Sequence, residues 1–361
     1  MNRIIVAGGG TAGHIEPALA VARGWQLAHP DSHLTFLGTK AGLETSLVPA
    51  AGFALTLIPK VSVPRRISIK LLTLPFTLVG AIAQSMRAIK GANLVIGFGG
   101  YVSAPAYLAA ALTRTPFVIH EANARPGLAN RLGALFTRYT AVAHPVQSGS
   151  LKKSLLTGLP LKENIAGAYE SAQSNWSGAR QAAKAALGFD EQAPLVFIFG
   201  GSQGSAAINE VIAHSRQTLH DMGVNILHGV GARNDLPESN SGYRAVNYIS
   251  DMATAYLAAD LIIARSGAIT CSEVAAIGKY ALFIPLPIGN GEQKVNARLV
   301  TEQSRGEIID QSEFTTQWIE KHLDRLLKNC EMASPAGNSS DLHASEKIVA
   351  LMEEALKVKA K

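Results

Sequence analysis

A chain that twice runs a short, β-branched strand into a glycine turn and on into a helix has few folds open to it. The first copy is Ile4 to Ala7, then Gly8-Gly9-Gly10, then an apolar helical pattern from Pro17 to Leu27. The second is Leu195 to Phe199, then Gly200-Gly201-Ser202-Gln203-Gly204, continued as a helix over Ala206 to Ile212. Short apolar runs at Leu34 to Leu37, Leu94 to Gly97, Phe117 to His120, Ile226 to Val230, Leu261 to Ala264 and Ala281 to Ile284 read as further strands, with helical stretches between them. Alternating strands and helices predict parallel sheets covered on both faces, and two strand-glycine-helix starts predict two such sheets. The expected fold is α/β, with two Rossmann-like, doubly wound domains.

The length of 361 residues agrees, because single cores rarely grow past about 250 to 300 residues. Gly158-Leu159-Pro160 leads into a polar, weakly patterned segment, which places the joint between Thr157 and about Gln192. The expected division is residues 1–160, residues 161–340, and a closing helix within 341–361 that packs back on the first domain. Ligands of such folds sit at the carboxyl ends of the strands, so a cleft between the domains is the expected site.

Composition removes other classes. Hydrophobic residues at 47% and charged residues at 17% exclude a disordered chain. Cys271 and Cys330, the only cysteines, build neither a disulfide framework nor a cysteine zinc site, which suits a reducing compartment. The first strand reaches Gly8 after four apolar residues, too few for a secretory signal, and the most apolar window, Ile67 to Ala83, contains Lys70 and Pro75. No membrane-crossing segment is expected. The net charge of +6 is uneven: residues 1–160 hold 15 Lys and Arg against 4 Asp and Glu, or +11, and the remainder 18 against 23, or −5. A first half this basic suggests an anionic partner, whether nucleic acid, phospholipid or a phosphorylated substrate.

Gly8-x-Gly10-x-x-Gly13 matches the dinucleotide fingerprint, yet the second strand ends Phe36-Leu37-Gly38-Thr39-Lys40 without the acid that would hold a ribose. The glycines then imply either backbone N–H groups facing an anion or a tight structural turn. His14 follows the loop directly. A helix amino terminus keeps an imidazole neutral, as a general base requires. His120 to Arg131 packs polar side chains into one loop after a strand, as binding loops do, against the alternative of simple loop solvation. Gly97-Phe98-Gly99-Gly100-Tyr101 offers another glycine turn. Arg265 to Glu273 opens a helix at a strand end, where Glu273 could serve a ligand or merely complement the helix dipole. Gly289 to Gln293 and Asn296 form a loop suited either to sugar hydroxyls or to solvated turns. Asp-x-Asp is absent, so no protein-bound metal and no cofactor is expected, and the absence of a P-loop motif excludes a P-loop NTPase. Ser62 to Val79 mixes Arg65, Arg66 and Lys70 with a dense apolar set, followed by Arg87 and Lys90. We read it as an interfacial membrane patch in preference to core.

Residues 8–20 (Gly-Gly-Gly-Thr-Ala-Gly-His-Ile-Glu-Pro-Ala-Leu-Ala), His120 to Arg131, Gly200 to Gly204, Arg265 to Glu273 and Gly291 to Asn296, in this order and spacing, closely resemble the MurG family, the N-acetylglucosaminyltransferases that make lipid II in peptidoglycan synthesis. The resemblance implies a GT-B fold and an inverting hexosyltransferase. Its substrates would be UDP-N-acetylglucosamine and the muramoyl 4-hydroxyl of undecaprenyl-linked lipid I. It also implies peripheral attachment to the anionic inner leaflet, at the cytoplasmic face of the membrane, rather than to nucleic acid. Carried over, donor contacts fall on Thr11, Ala12, Gly13, Asn123, Ser202, Ile249, Arg265, Ala268, Ile269, Thr270, Glu273 and Gln293. Glu273 would hold the ribose, Gln293 and Asn123 the sugar, and Ser202 with Thr270 the diphosphate. Gly9, Gly10, Gly99, Gly100, Tyr101 and Asn130 fall to the acceptor, whose lipid diphosphate the resemblance places at the glycine loops 8–13 and 97–101; His14 falls to the general base, and Glu121 is the alternative base. The family's hinge motif Gly-Asn-Pro-Val-Arg reads Gly158-Leu159-Pro160-Leu161-Lys162 here, so Lys162 keeps a charge without the bidentate fork. A different UDP-sugar enzyme, such as an epimerase, would share the fold and donor loops. A sensor without turnover would share the loops but need no base.

Overall fold

Four consecutive apolar residues at the start of the chain form a strand buried on both faces. In the computed structural model, which describes residues 2–61, 70–287, 291–303, 305–332 and 337–357, this is β1 (Arg3–Ala7). Ile4 and Val6 enter one apolar cluster and Ile5 and Ala7 another, as the two-residue period of a strand requires. The chain divides into two units, residues 1–162 with 340–361, and residues 163–339.

In the first unit β1 is followed by α1 (Ala12–Ala28), β2 (His33–Gly38), α2 (Glu44–Ala50), β3 (Ala54–Leu57), α3 (Lys70–Ile89), β4 (Leu94–Gly97), α4 (Ser103–Leu112), β5 (Phe117–Glu121), α5 (Leu128–Gly133), β6 (Thr140–Val142) and β7 (Leu155–Leu156). The sheet order is β3-β2-β1-β4-β5-β6-β7, with every pairing parallel. Arg65 and Arg66 of the expected membrane patch lie outside the described residues, as does the side chain of Lys70.

The second unit runs α6 (Glu163–Ser174), α7 (Trp176–Ala186), β8 (Leu195–Phe199), α8 (Ala206–Asp221), β9 (Asn225–Gly229), β10 (Tyr243–Val246), α9 (Met252–Ala258), β11 (Leu261–Ala264), α10 (Ala268–Ile277), β12 (Ala281–Phe283), α11 (Glu292–Thr301), β13 (Gly306–Ile308) and α12 (Thr316–Met332). Its sheet, β10-β9-β8-β11-β12-β13, is again parallel. Counted within the unit this is the 3-2-1-4-5-6 order of a Rossmann sheet.

The last helix, α13 (Ala344–Lys357), belongs to the first unit. Its Ile348, Val349, Leu351, Met352 and Ala355 join Ile15, Ala18, Val21 and Trp25 of α1 in one cluster on the β1 sheet. Fully burying such side chains contributes roughly 1.5 to 3 kcal/mol each. Glu353 of α13 accepts a 2.8 Å hydrogen bond at the surface from His29, which follows α1.

Strand order reverses between β1 and β4 in the first unit and between β8 and β11 in the second. Ligands of doubly wound sheets bind at such switch points. In the register Ala7 pairs with Gly97 and Phe199 with Ala264, so the loop after each unit's first strand sits beside the loop after its fourth.

Candidate functional site

In the first unit the β1–α1 loop, Gly8 to Thr11, meets the β4–α4 loop, Phe98 to Tyr101. Thr11 has the extended backbone of a helix N-cap but makes no side-chain cap. Its hydroxyl lies 3.2 Å from Nδ1 of His14 instead. His14 therefore stands in the first turn of α1 with one ring nitrogen engaged. A methyl group added at Gly99 would lie 3.3 Å from His14 Nε2 and 3.4 Å from Asn130 Nδ2, and one at Gly100 would collide with the Gly9 carbonyl oxygen. Gly99 and Gly100 have φ of +90° and +84°, conformations that glycine adopts without strain. The two glycines thus admit the imidazole. Burial pushes the His14 pKa down, opposed by the Glu121 carboxylate first, then by the Gly9 carbonyl and Glu44. The largest cause of this downward shift, which favours the neutral ring, is desolvation.

Glu121 ends β5 and is 3% exposed. Its Oε1 accepts from the backbone and side-chain nitrogens of Asn123 at 2.9 and 3.1 Å, and its Oε2 from Gly127 N and Asn130 Nδ2 at 2.9 and 3.0 Å. With four donors on it, this carboxylate organises the loop. A general base needs a lone pair aimed at its proton, and both oxygens of Glu121 already accept two hydrogen bonds each. Asn130 also donates to the His120 carbonyl at 3.1 Å and accepts from the Tyr107 hydroxyl at 2.8 Å. Tyr107 fits because Gly97 and Gly133 have no side chains, since a methyl group at either would strike its ring. Tyr101 is 41% exposed, with Lys60 Nζ 4.4 Å from its ring centroid. Lys162 pairs at 2.9 Å with Glu16, in the first turns of α1.

Of the two readings of the Gly8–Gly13 loop, amides facing a bound anion or a tight structural turn, the amide of Gly10 serves the fold. Its N–H donates at 2.8 Å to Oε2 of Glu44, the first residue of α2, which is fully buried. Oε1 of the same carboxylate accepts from Thr39 N at 2.7 Å and Thr39 Oγ1 at 3.0 Å. The acid missing from the end of β2 thus arrives a few residues later and grips the glycine loop. The reading of the sequence missed Glu44. The available signal was its rarity, as one of four acids in 160 residues.

In the second unit Ser205 caps α8, its Oγ accepting from Ile208 N at 3.4 Å. The same Oγ accepts from Arg265 Nη2 at 2.8 Å. Arg265 is 8% exposed, and its other terminal donors reach Gln311 Oε1 and the carbonyls of Ile284 and Pro285, the latter two at 3.0 and 3.2 Å. All four of its terminal N–H groups are thereby committed to the protein. Through Ser205, Arg265 ties the loop that carries Ser202 to the ends of β12 and β13. Gly204, with φ of +74°, is required because any side chain there would strike the Val230 carbonyl.

The capping role weighed for Glu273 does not fit. It is the sixth residue of α10, 4% exposed, and its Oε2 accepts from Tyr256 Oη at 2.9 Å. Burial and the adjoining carboxylate raise the Tyr256 pKa well above its ordinary value, so the phenol stays a donor. Ala268, Ile269 and Thr270 form the first turn of α10, whose N-cap, Gly267, leaves open space in front of it. Gln293, in the first turn of α11, accepts from Leu286 N at 3.0 Å, and its carbonyl accepts from Ser266 Oγ at 2.9 Å. Ile249 follows β10 and packs over Gly229. Ile288, Gly289 and Asn290 lie outside the described residues.

Two Rossmann-like units, each carrying a glycine loop at its switch point, are the architecture of a two-domain nucleotide-sugar transferase. The family model of the glycosyltransferase family 28 N-terminal domain matches residues 4–142 and that of the family 28 C-terminal domain residues 195–352. A Streptomyces coelicolor protein named UDP-N-acetylglucosamine--N-acetylmuramyl-(pentapeptide) pyrophosphoryl-undecaprenol N-acetylglucosamine transferase is 40% identical over 99% of this chain and 99% of its own. A Corynebacterium glutamicum (strain R) protein of the same name is 44% identical over 95% and 96%. The crystal structure of Acinetobacter baumannii MurG superposes with a TM-score of 0.73 at 27% identity, over 98% of this chain and all of that one. The chain belongs to the MurG family of glycosyltransferases, with a GT-B fold.

Proposed function

We propose that this enzyme transfers N-acetylglucosamine from UDP-N-acetylglucosamine to the 4-hydroxyl of the muramoyl sugar of lipid I, giving lipid II. The names of relatives at 40 to 44% identity support the reaction, and the position of His14 carries the mechanism. With Nδ1 engaged 3.2 Å from Thr11 Oγ1, Nε2 beside Gly99 is the nitrogen that acts as the base. It takes the acceptor proton while the hydroxyl oxygen bonds to the anomeric carbon. The bond from that carbon to the β-phosphate breaks on the opposite face, inverting the centre and releasing UDP.

The donor belongs to the second unit. The departing diphosphate meets the amino termini of α8 and α10, through Ser202 and Thr270, where backbone N–H groups and helix dipoles favour anions. The ribose hydroxyls bond to Glu273, and Ile249, Ala268 and Ile269 line the base. Gln293 takes the sugar, with Asn123, Thr11 to Gly13 and Lys162 completing the donor contacts from the first unit. Asn130, Gly99, Gly100 and Tyr101 take the acceptor, beside Gly9 and Gly10. No Asp-x-Asp pair is available for a metal-bound diphosphate, so turnover should persist in a chelator.

The enzyme works at the cytoplasmic face of the membrane, attached peripherally to anionic lipid. No described helix is long and apolar enough to span a bilayer. Supporting the attachment, α3 exposes 81% of Phe76 and 66% of Val79, and Arg87 lies in its last turn. Radiolabelled N-acetylglucosamine should move to an undecaprenyl-linked acceptor with equimolar UDP release. Sugar hydrolysed to water alone, or epimerised on UDP, would contradict the reading. Charge reversal of Arg65, Arg66 and Arg87 should weaken binding to anionic vesicles.

A further inference from the structure

His120 is a buried histidine that the mechanism leaves unused, although it stands next to Glu121 at the end of β5. Burial holds its pKa down at about 4, opposed by the Gly158 carbonyl and helped by the neighbouring His144, so the ring is neutral near pH 7. Its Nε2 lies 3.0 Å from the Gly158 carbonyl oxygen. A carbonyl only accepts, so the one ring proton sits on Nε2 and Nδ1 is left bare. That Nδ1 is buried and has no hydrogen-bond partner among the described residues. A side chain that leaves one nitrogen unsatisfied while the other donates is held in place for the bond it makes.

Gly158 lies where the chain prepares to leave the first unit, whose first segment ends at Lys162 and whose second begins at Ser340. Its φ is +86°, and a methyl group there would strike Asp341 Oδ1 and meet the Ser340 carbonyl oxygen at 3.1 Å. The outgoing and returning segments therefore pack on each other at this glycine. Its carbonyl also accepts from Thr157 Oγ1 at 3.1 Å, and Lys162 ties the same segment to Glu16 of α1. On its other side, the His120 backbone carbonyl accepts from Asn130 Nδ2, which also reaches Glu121 Oε2. One residue thus links the acceptor loop, through its backbone, to the outgoing segment, through its ring. Asn130 Nδ2 and His14 Nε2 both flank the open side of Gly99, so a shift of the acceptor loop would move the acceptor away from its base.

Resting on the transfer reaction above, we propose that His120 is a positioning residue: by donating Nε2–H to Gly158 it locks the outgoing segment to the end of β5 and keeps Glu121 and Asn130 in register with His14.

Wild-type transfer to the lipid acceptor is measured first, since its absence would sink the reaction and leave His120 to be judged by the resonance experiment below. His120→Phe keeps a ring and loses the donor. It should lower kcat by about tenfold while the donor KM stays within about twofold of wild type. His120→Gln sets an amide N–H near the place of Nε2 and should recover most of that loss, which a general loss of packing would not allow. In the wild-type chain the ring nitrogen resonances of His120 should report the Nε2–H tautomer at neutral pH, and this readout also decides the matter if His120→Phe does not fold. Wild-type kcat in His120→Phe, no recovery in His120→Gln, a donor KM that rises as far as kcat falls, or an Nδ1–H tautomer would overturn the proposal.

Discussion

In the first unit the glycine loop after β1 rests on the Glu44 carboxylate, whereas in the second the loop after β8 is tied through Ser205 to the Arg265 guanidinium. The two loops follow the same strand and the same sheet order, yet their supports carry opposite charge. That difference suits a division of labour. Carboxylates near His14 favour taking up a proton, and a cation behind the other loop favours holding a diphosphate. It also separates surface from site: the half with net charge +11 keeps two of its four acids, Glu44 and Glu121, buried at its loops. Net charge reports what a unit meets at its surface, and single buried groups decide the sign of its site.

The contrast can be broken most forcefully at His14. General bases typically contribute about 10² to 10⁴ in rate, so His14→Ala should lower kcat by that order while the donor KM holds. A His14→Ala enzyme of near-normal kcat beside a dead Glu121→Ala enzyme would move the base to Glu121. Arg265→Met comes next. It strands two backbone carbonyls, Ser205 and Gln311, and unsatisfied buried groups cost about 1 to 3 kcal/mol each. Donor kcat/KM should fall by roughly 10², and an unchanged donor KM would show that the tie through Arg265 is not needed. Tyr256→Phe removes one donor from Glu273 and should raise the donor KM only several-fold, about 1 kcal/mol, with acceptor KM unaltered.

A smaller effect compares the units in acid. Burial holds His120 in the first unit and His228 in the second at about 4, against about 6.5 unfolded. Between these values the unfolded chain binds more protons, so stability is full above about pH 6.5 and declines toward pH 4 in both units, by on the order of 3 kcal/mol per histidine. Thermal unfolding of His228→Gln across that range should show a weaker pH dependence than wild type. An identical dependence would mean that His228 is not buried as a neutral ring.

The central strands were legible because they are buried on both faces and read as unbroken apolar runs: Ile4 to Ala7, Leu94 to Gly97, Leu195 to Phe199 and Leu261 to Ala264 all lie where expected. The strands not read from sequence, β3, β6, β7, β10 and β13, lie at or next to sheet edges and are two to four residues long. An edge strand such as Leu155–Leu156, exposed on both residues, leaves no run to detect. At the site, loop positions were legible because glycine turns mark strand ends. Side-chain roles were less so, since Glu44, Tyr107, Ser205 and Tyr256 act through partners 17 to 60 residues away. Arg265 shows the same limit: the residue was singled out, but its four protein partners come from three other segments.

The division of labour is tested most directly by titrating UDP-N-acetylglucosamine into His14→Ala and Glu273→Ala, each beside wild type. The first should bind the donor with wild-type affinity while turning over at about 1% or less. The second should lose donor affinity by about tenfold or more. Equal loss of donor binding in both, or wild-type donor affinity in Glu273→Ala, would contradict the assignment of proton transfer to the first unit and nucleotide to the second.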